Sequence, residues 1–194
     1  MSSAANRRVP HTELKGMDRS SLPHEGKTVA KSFRIDQNAL GALQEEARKQ
    51  QISLNTLVNQ LLVGYSEYGR FIRHMNGVSI SGGAFFEFLS NIPEDRMNEI
   101  GRKLAKSALV TLVTSRYGKM GVDGVIEWIH RFSSYANLYE YSETKEKGRW
   151  TITLTHWFGR KWSLFLAGYF EQAFADVGVK TQHSVSEAST TFSI

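Results

Sequence analysis

The residues of this chain whose types and spacing suit chemistry are cationic or hydroxylic rather than acid–base. Arg34 stands in the alternating stretch Ser32, Phe33, Arg34, Ile35. Its planar guanidinium fork makes paired hydrogen bonds, and guanine presents matching acceptors at O6 and N7. Ser53, Leu54 and Asn55 come after a break in one helical pattern and open the next. Backbone N–H groups in the first turn of a helix lack intrahelical acceptors, carry partial positive charge and suit a phosphate. No recognisable frame for covalent or acid–base catalysis stands in the sequence. There is no glycine-rich phosphate loop, no nucleophile elbow and no pair of carboxylates in a recognisable frame, so no catalytic residue is assigned and an enzyme is not expected. His74, His130, His156 and His183 form neither an i, i+4 pair with an acidic base nor a His-x-His pair. The chain has no cysteine, which excludes disulfides and thiolate metal sites. Neither a metal nor a cofactor is expected. His156 shares a strand face with Trp150 and Leu154 and reads as a satisfied core histidine.

Three elements must position the polar groups of the first part. The alternation at 32–35 has the period of a half-buried strand. Asp36 is a plausible N-cap, after which Leu40, Leu43 and Ala47 recur at helical spacing, with Gln44, Glu45, Arg48 and Lys49 on the other side. The chain breaks at Gln51, Ile52 and Ser53, and Ser53 can cap a second helix. That helix carries Leu54, Leu57, Val58, Leu61, Leu62, Tyr65, Tyr68 and Ile72 as a near-continuous apolar stripe, and Asn76 and Gly77 stop it. A strand and two helices in so short a stretch bury too little to fold alone, and a single strand is an open edge. A two-fold dimer solves both problems by pairing two such strands over four helices.

On these residues, residues 28–75 resemble the ribbon-helix-helix DNA-binding modules of the Arc/MetJ/CopG superfamily. The resemblance covers less than a quarter of the chain and rests on pattern rather than on any one residue. It implies a homodimer whose paired ribbon lies in the major groove of double-stranded DNA. Ribbon parity then assigns the faces. Phe33 and Ile35 turn inward, whereas Ala30, Ser32 and Arg34 turn to the bases. Lys31 is near the strand start, where its long stem can reach a phosphate. Ser53, Leu54 and Asn55 are implied to clamp the DNA backbone. Some members of the superfamily bind nickel through His and Cys ligands in a C-terminal domain; without cysteine, that does not carry over.

Charge supports a polyanionic partner. Of the net +5, the first 34 residues hold +4, from seven basic and three acidic side chains. Charge gathered at one end says more than a basic balance alone. Residues 1–27 show no persistent period and read as a flexible basic arm. The sequence has no apolar run long enough for a membrane span and no secretory leader, so a cytoplasmic protein is the simplest expectation.

Residues 77–194 form a second domain of unrecognised family. Residues 78–81 alternate as a short strand would, and residues 84–89 suit a short helix. Pro93 fits the first position of another helix, with Met97, Ile100, Leu104, Ala108 and Leu112 as its stripe and Tyr117 and Gly118 at its end. Asp123 starts a helix that buries Val125, Ile126, Ile129 and Phe132. Then come a Tyr-rich strand at 138–142, a polar hairpin loop at 143–148 and a strand carrying Trp150, Ile152 and Leu154. A helix with Trp162, Phe165, Leu166, Tyr169 and Ala173 is next, and then two strands at 180–185 and 190–194. The fold class is α+β, a β-α-α module followed by an α+β domain with an antiparallel sheet. Its dense aromatics leave two roles open for the second half, holding a small-molecule effector or assembling dimers into larger units. The expected function is a sequence-specific transcriptional regulator. The rivals are an antitoxin, whose partner would be a toxin, and an interaction protein that dimerises without DNA.

Overall fold

The computed structural model describes residues 28–74, 77–106, 121–146 and 148–194. The arm at 1–27 and the expected helix positions Ala108, Leu112, Tyr117 and Gly118 lie outside the described residues. The chain divides into two compact units, residues 1–42 and residues 43–194.

In the first of these, residues 28–36 form no regular secondary structure and are exposed. The expected strand at 32–35 is therefore not formed in the single chain. A strand is held by a neighbour's backbone, and among the described residues none pairs with this segment. Helix α1, Gln37–Lys49, begins as expected. Asp36 Oδ1 accepts the N–H groups of Asn38 and Ala39 at 2.9 and 3.0 Å.

In the second unit, α1 ends at a tight turn with Gln51 at φ +55°. Helix α2, Leu54–Gly64, is next, and Ser53 caps it by accepting the Thr56 N–H at 3.0 Å. Leu57 and Ala47 are buried. Helical geometry runs on through a π-turn at Tyr65–Gly69 into α3, Arg70–His74. The single apolar stripe expected from Leu54 to Ile72 is therefore split. In an unbroken α-helix, Leu61, Tyr65 and Tyr68 would share a face at i, i+4 and i+7. The i→i+5 bonding of a π-turn adds one residue to a turn and rotates the residues beyond it by about 100°. Leu61, Leu62 and Tyr65 stay exposed, while Tyr68 stacks on Tyr135 at 5.5 Å and Phe71 packs against the core of the second half.

The expected strand at 78–81 is not formed either; those residues are exposed and pair with no strand among the described residues. Helix α4, Gly82–Ser90, is capped by Ser81, and Lys161 Nζ donates to the carbonyls of Leu89 and Ser90 at its other end. Helix α5, Glu94–Leu104, takes Pro93 as its N-cap rather than its first residue. Met97 is buried, but Leu104, expected in the stripe, is exposed. Helix α6, Val122–Ala136, buries Val125, Trp128 and Ile129.

Strands β1, Glu140–Glu146, and β2, Arg149–Thr155, form a hairpin with Glu146 opposite Arg149. The connection is thus two residues long and includes Gly148 at φ +81°, a conformation that costs glycine little. The expected polar loop at 143–148 is mostly strand, because an exposed edge strand tolerates charge on both faces. Helix α7, Arg160–Asp176, and strands β3, Gln182–Val185, and β4, Ser189–Ser193, complete a four-stranded antiparallel sheet in the order β1-β2-β4-β3. The second half is α+β, as expected. One sheet face, carrying Ile152, Leu154, Thr190 and Phe192, is buried with Leu166, Phe170 and Phe174 of α7. Register places Thr151, Thr153, Thr191 and Ser193 on the opposite, polar face. No described helix is long and apolar enough to cross a membrane.

Candidate nucleic-acid interface

The residues that sequence assigns to base reading, Ala30, Ser32 and Arg34, are exposed, as is Lys31. Among the apolar residues that alternate with them, Val29 is 76%, Phe33 69% and Ile35 44% exposed. These apolar side chains are therefore uncovered in the single chain. Phenylalanine left this open forgoes on the order of 2 kcal/mol of burial.

The phosphate-binding candidates come together at the start of α2. Ser53 Oγ accepts the Thr56 N–H at 3.0 Å and lies 2.8 Å from Thr56 Oγ1, and Ser53 O accepts the Leu57 N–H at 3.0 Å. The N–H groups of Leu54 and Asn55 are thus the ones left without acceptors in the helix. Asn55 is exposed and Leu54 half-buried. An open groove of about 410 Å³ runs past this turn between Gln44, Ala47, Arg48, Ile52 and Leu54. Arg48 donates from Nε to Gln44 O at 3.4 Å, which holds its side chain along α1. Sequence reasoning placed Arg48 on the polar side of α1 and gave it no role. Its position in the last turn before the break was the available signal.

Elsewhere several polar groups pair with one another. His156 is buried, and its Nδ1 accepts the Phe158 N–H at 3.3 Å. That bond puts the proton on Nε2, which donates to Ser163 Oγ at 2.8 Å. An imidazole donating to a serine is not serving as its base. Burial lowers the His156 pKa to about 4, so the ring is neutral at pH 7. The expected core histidine is found. Arg102 pairs with Glu171 at 2.7 Å, and His183 Nδ1 lies 3.5 Å from the same carboxylate.

Arg131, on α6, contacts Glu127 one turn away and Glu67 of the π-turn, the latter at 2.5 Å. Burial disfavours its charge, but the hydrogen bonds and charges of Glu67 and Glu127 outweigh this and raise its pKa above the ordinary arginine value. Tyr135 also donates to Glu67 Oε2, at 3.0 Å. Neither side of this network was visible in the sequence. Of the aromatics weighed as a pocket lining, Tyr139, Phe158 and Trp162 are core and Trp157 is exposed.

Comparison with protein-family models, with curated proteins and with solved structures found no match.

Proposed function

We propose that this protein is a homodimeric, sequence-specific DNA-binding transcriptional regulator. Residues 28–35 of two copies pair as an antiparallel ribbon that enters the major groove. Arg34 and Ser32 read base edges, with Ala30 beside them, and the α2 N-terminus holds the DNA backbone through the N–H groups of Leu54 and Asn55. Ser53 orders that turn, and Lys31 adds a phosphate contact.

The observation that carries this reading is the exposure of Val29, Phe33 and Ile35, the apolar half of an alternating segment that pairs with no strand among the described residues. A second copy supplies that partner and covers the side chains. The exposed Leu61, Leu62 and Tyr65 of the α2 run are a further apolar surface for a second copy to cover. A folded α+β second half with a large aromatic core weighs against an antitoxin built on a disordered tail. We assign that half to effector sensing or to assembly of dimers.

The test is a titration of the full chain with random-sequence duplex DNA, and with a duplex selected from it, at several salt concentrations. Tight binding to the selected duplex, with log K falling linearly in log salt, supports the reading. Equal binding to both duplexes removes sequence specificity from it, and no binding at low salt removes DNA altogether.

A further inference from the structure

The helical run of residues 54–74 carries two unlike surfaces, and the step between them is the π-turn. Towards its start, Leu61, Leu62 and Tyr65 are 52%, 54% and 54% exposed. Further on, the Glu67 side chain is only 11% exposed and is held by Arg131 at 2.5 Å and Tyr135 at 3.0 Å. Tyr68 meets Phe132 edge-on at 5.7 Å and lies on Tyr135 at 5.5 Å. Gly64 lets the Tyr135 ring come close, since a Cβ there would sit 3.2 Å from Tyr135 Cε1. Single π-turns inside α-helices are rare and are frequently found at functional sites. Here Glu67 and Tyr68 meet α6, while Tyr65 stays exposed with its ring close over Gly69. The pair sits in a network, since Arg131 also contacts Glu127 and Glu67 also accepts from Tyr135.

We propose that the Glu67–Arg131 pair is a lock through which the α+β domain sets the dimer-forming face of α2. The π-turn is the element that the lock holds in register. With the pair intact, Leu61, Leu62 and Tyr65 are presented on a fixed helix. With it broken, the turn loosens, the face loses its fixed geometry, and the dimer weakens although no interface residue has changed. The C-terminal domain thereby acquires a route to the DNA-binding state, because ribbon pairing requires the dimer. This inference rests on the dimer reading given under Proposed function.

The experiment compares the full chain with Glu67→Gln, Arg131→Leu, the double variant and Tyr135→Phe. Hydrogen exchange reports the amides of residues 65–74, and sedimentation reports the dimer dissociation constant. The lock predicts at least tenfold faster exchange in 65–74 and at least tenfold weaker dimers for either single variant, with no further loss in the double. Tyr135→Phe removes only one hydroxyl and should shift both readouts the same way by a smaller factor. It decides the matter if circular dichroism shows the charge variants unfolded. Dimer constants within twofold of the parent in folded variants overturn the lock and leave the dimer reading standing. A parent chain that is monomeric throughout overturns both.

Discussion

Gly101 of α5 and Gly168 of α7 bring the two helix backbones into direct contact. A Cβ on Gly101 would lie 2.2 Å from Phe165 O, and one on Gly168 would lie 2.1 Å from Asn98 O. Neither neighbour is a side chain that can swing aside. The crossing therefore depends on the absence of two Cβ atoms, and it sets the depth at which Met97, Leu166 and Phe170 meet the core. Gly101→Ala and Gly168→Ala should each cost about 1–3 kcal/mol by overpacking. The double variant should cost less than the sum, since one separation of the helices relieves both clashes. Denaturant melts of the three proteins measure this. Changes below about 0.5 kcal/mol, the range of ordinary surface substitutions, would mean that the helices do not touch there.

The buried His156 makes stability depend on pH in a defined window. Its folded pKa of about 4 is below the ordinary histidine value of 6.5. The unfolded chain therefore binds the proton more readily, and stability rises with pH across the interval. The contribution is fully present above about pH 6.5 and is lost as pH falls towards 4, amounting to at most about 3 kcal/mol. Urea melts between pH 4 and 7 should show the loss, and His156→Asn should flatten that part of the profile. An unchanged slope in the variant would show that the imidazole takes up its proton equally readily in the folded and unfolded chain.

Much of the fold could be read in sequence where the signal was local. Asp36 and Ser53 cap the helices that their positions announced, and Trp150, Ile152 and Leu154 alternate along β2 as their period required. The misses have physical reasons. Residues 78–81 alternate too, but alternation makes a strand only when another backbone is there to pair. Glu143, Thr144, Lys145 and Glu146 resembled a loop because charged residues suit an edge strand as well as a turn. Periodicity cannot record an inserted residue, so the π-turn at Tyr65–Gly69 and the split of the α2 stripe were invisible. The candidate interface was legible in Ser53, Leu54 and Asn55, which meet at one helix start. Arg48 entered it only through the groove it lines.

The π-turn yields its own test. A turn that holds one extra residue loses only its irregularity when one residue is removed. Deleting the exposed Ser66 should therefore keep Leu61 and Tyr68 on their separate faces and change stability by about 1 kcal/mol or less. Deleting Asn59, inside regular α2, should rotate everything beyond it by about 100° and abolish cooperative unfolding. Thermal melts of the two deletions compare them directly, and equal damage from both would refute the insertion account.

Phe33 and Arg34 are neighbours that should fail in different ways. If Phe33 is covered in the dimer, Phe33→Ala should cost about 3–5 kcal/mol and make melting steeply dependent on concentration. Arg34→Ala should change stability by less than about 0.5 kcal/mol yet weaken specific DNA binding by about 1–3 kcal/mol. Melts and binding titrations on the same two proteins separate the roles, and matching losses of stability would reverse the face assignment.

The central claim, a two-fold dimer that reads DNA through residues 28–35, is tested most directly by selecting bound sequences from random duplex DNA with the full chain, in parallel with Arg34→Ala. The account predicts enrichment of an inverted repeat by the parent chain and relaxed preference at one base pair in each half-site by the variant. Recovery of random sequence by the parent chain, or of the same repeat with undiminished preference by Arg34→Ala, would contradict it.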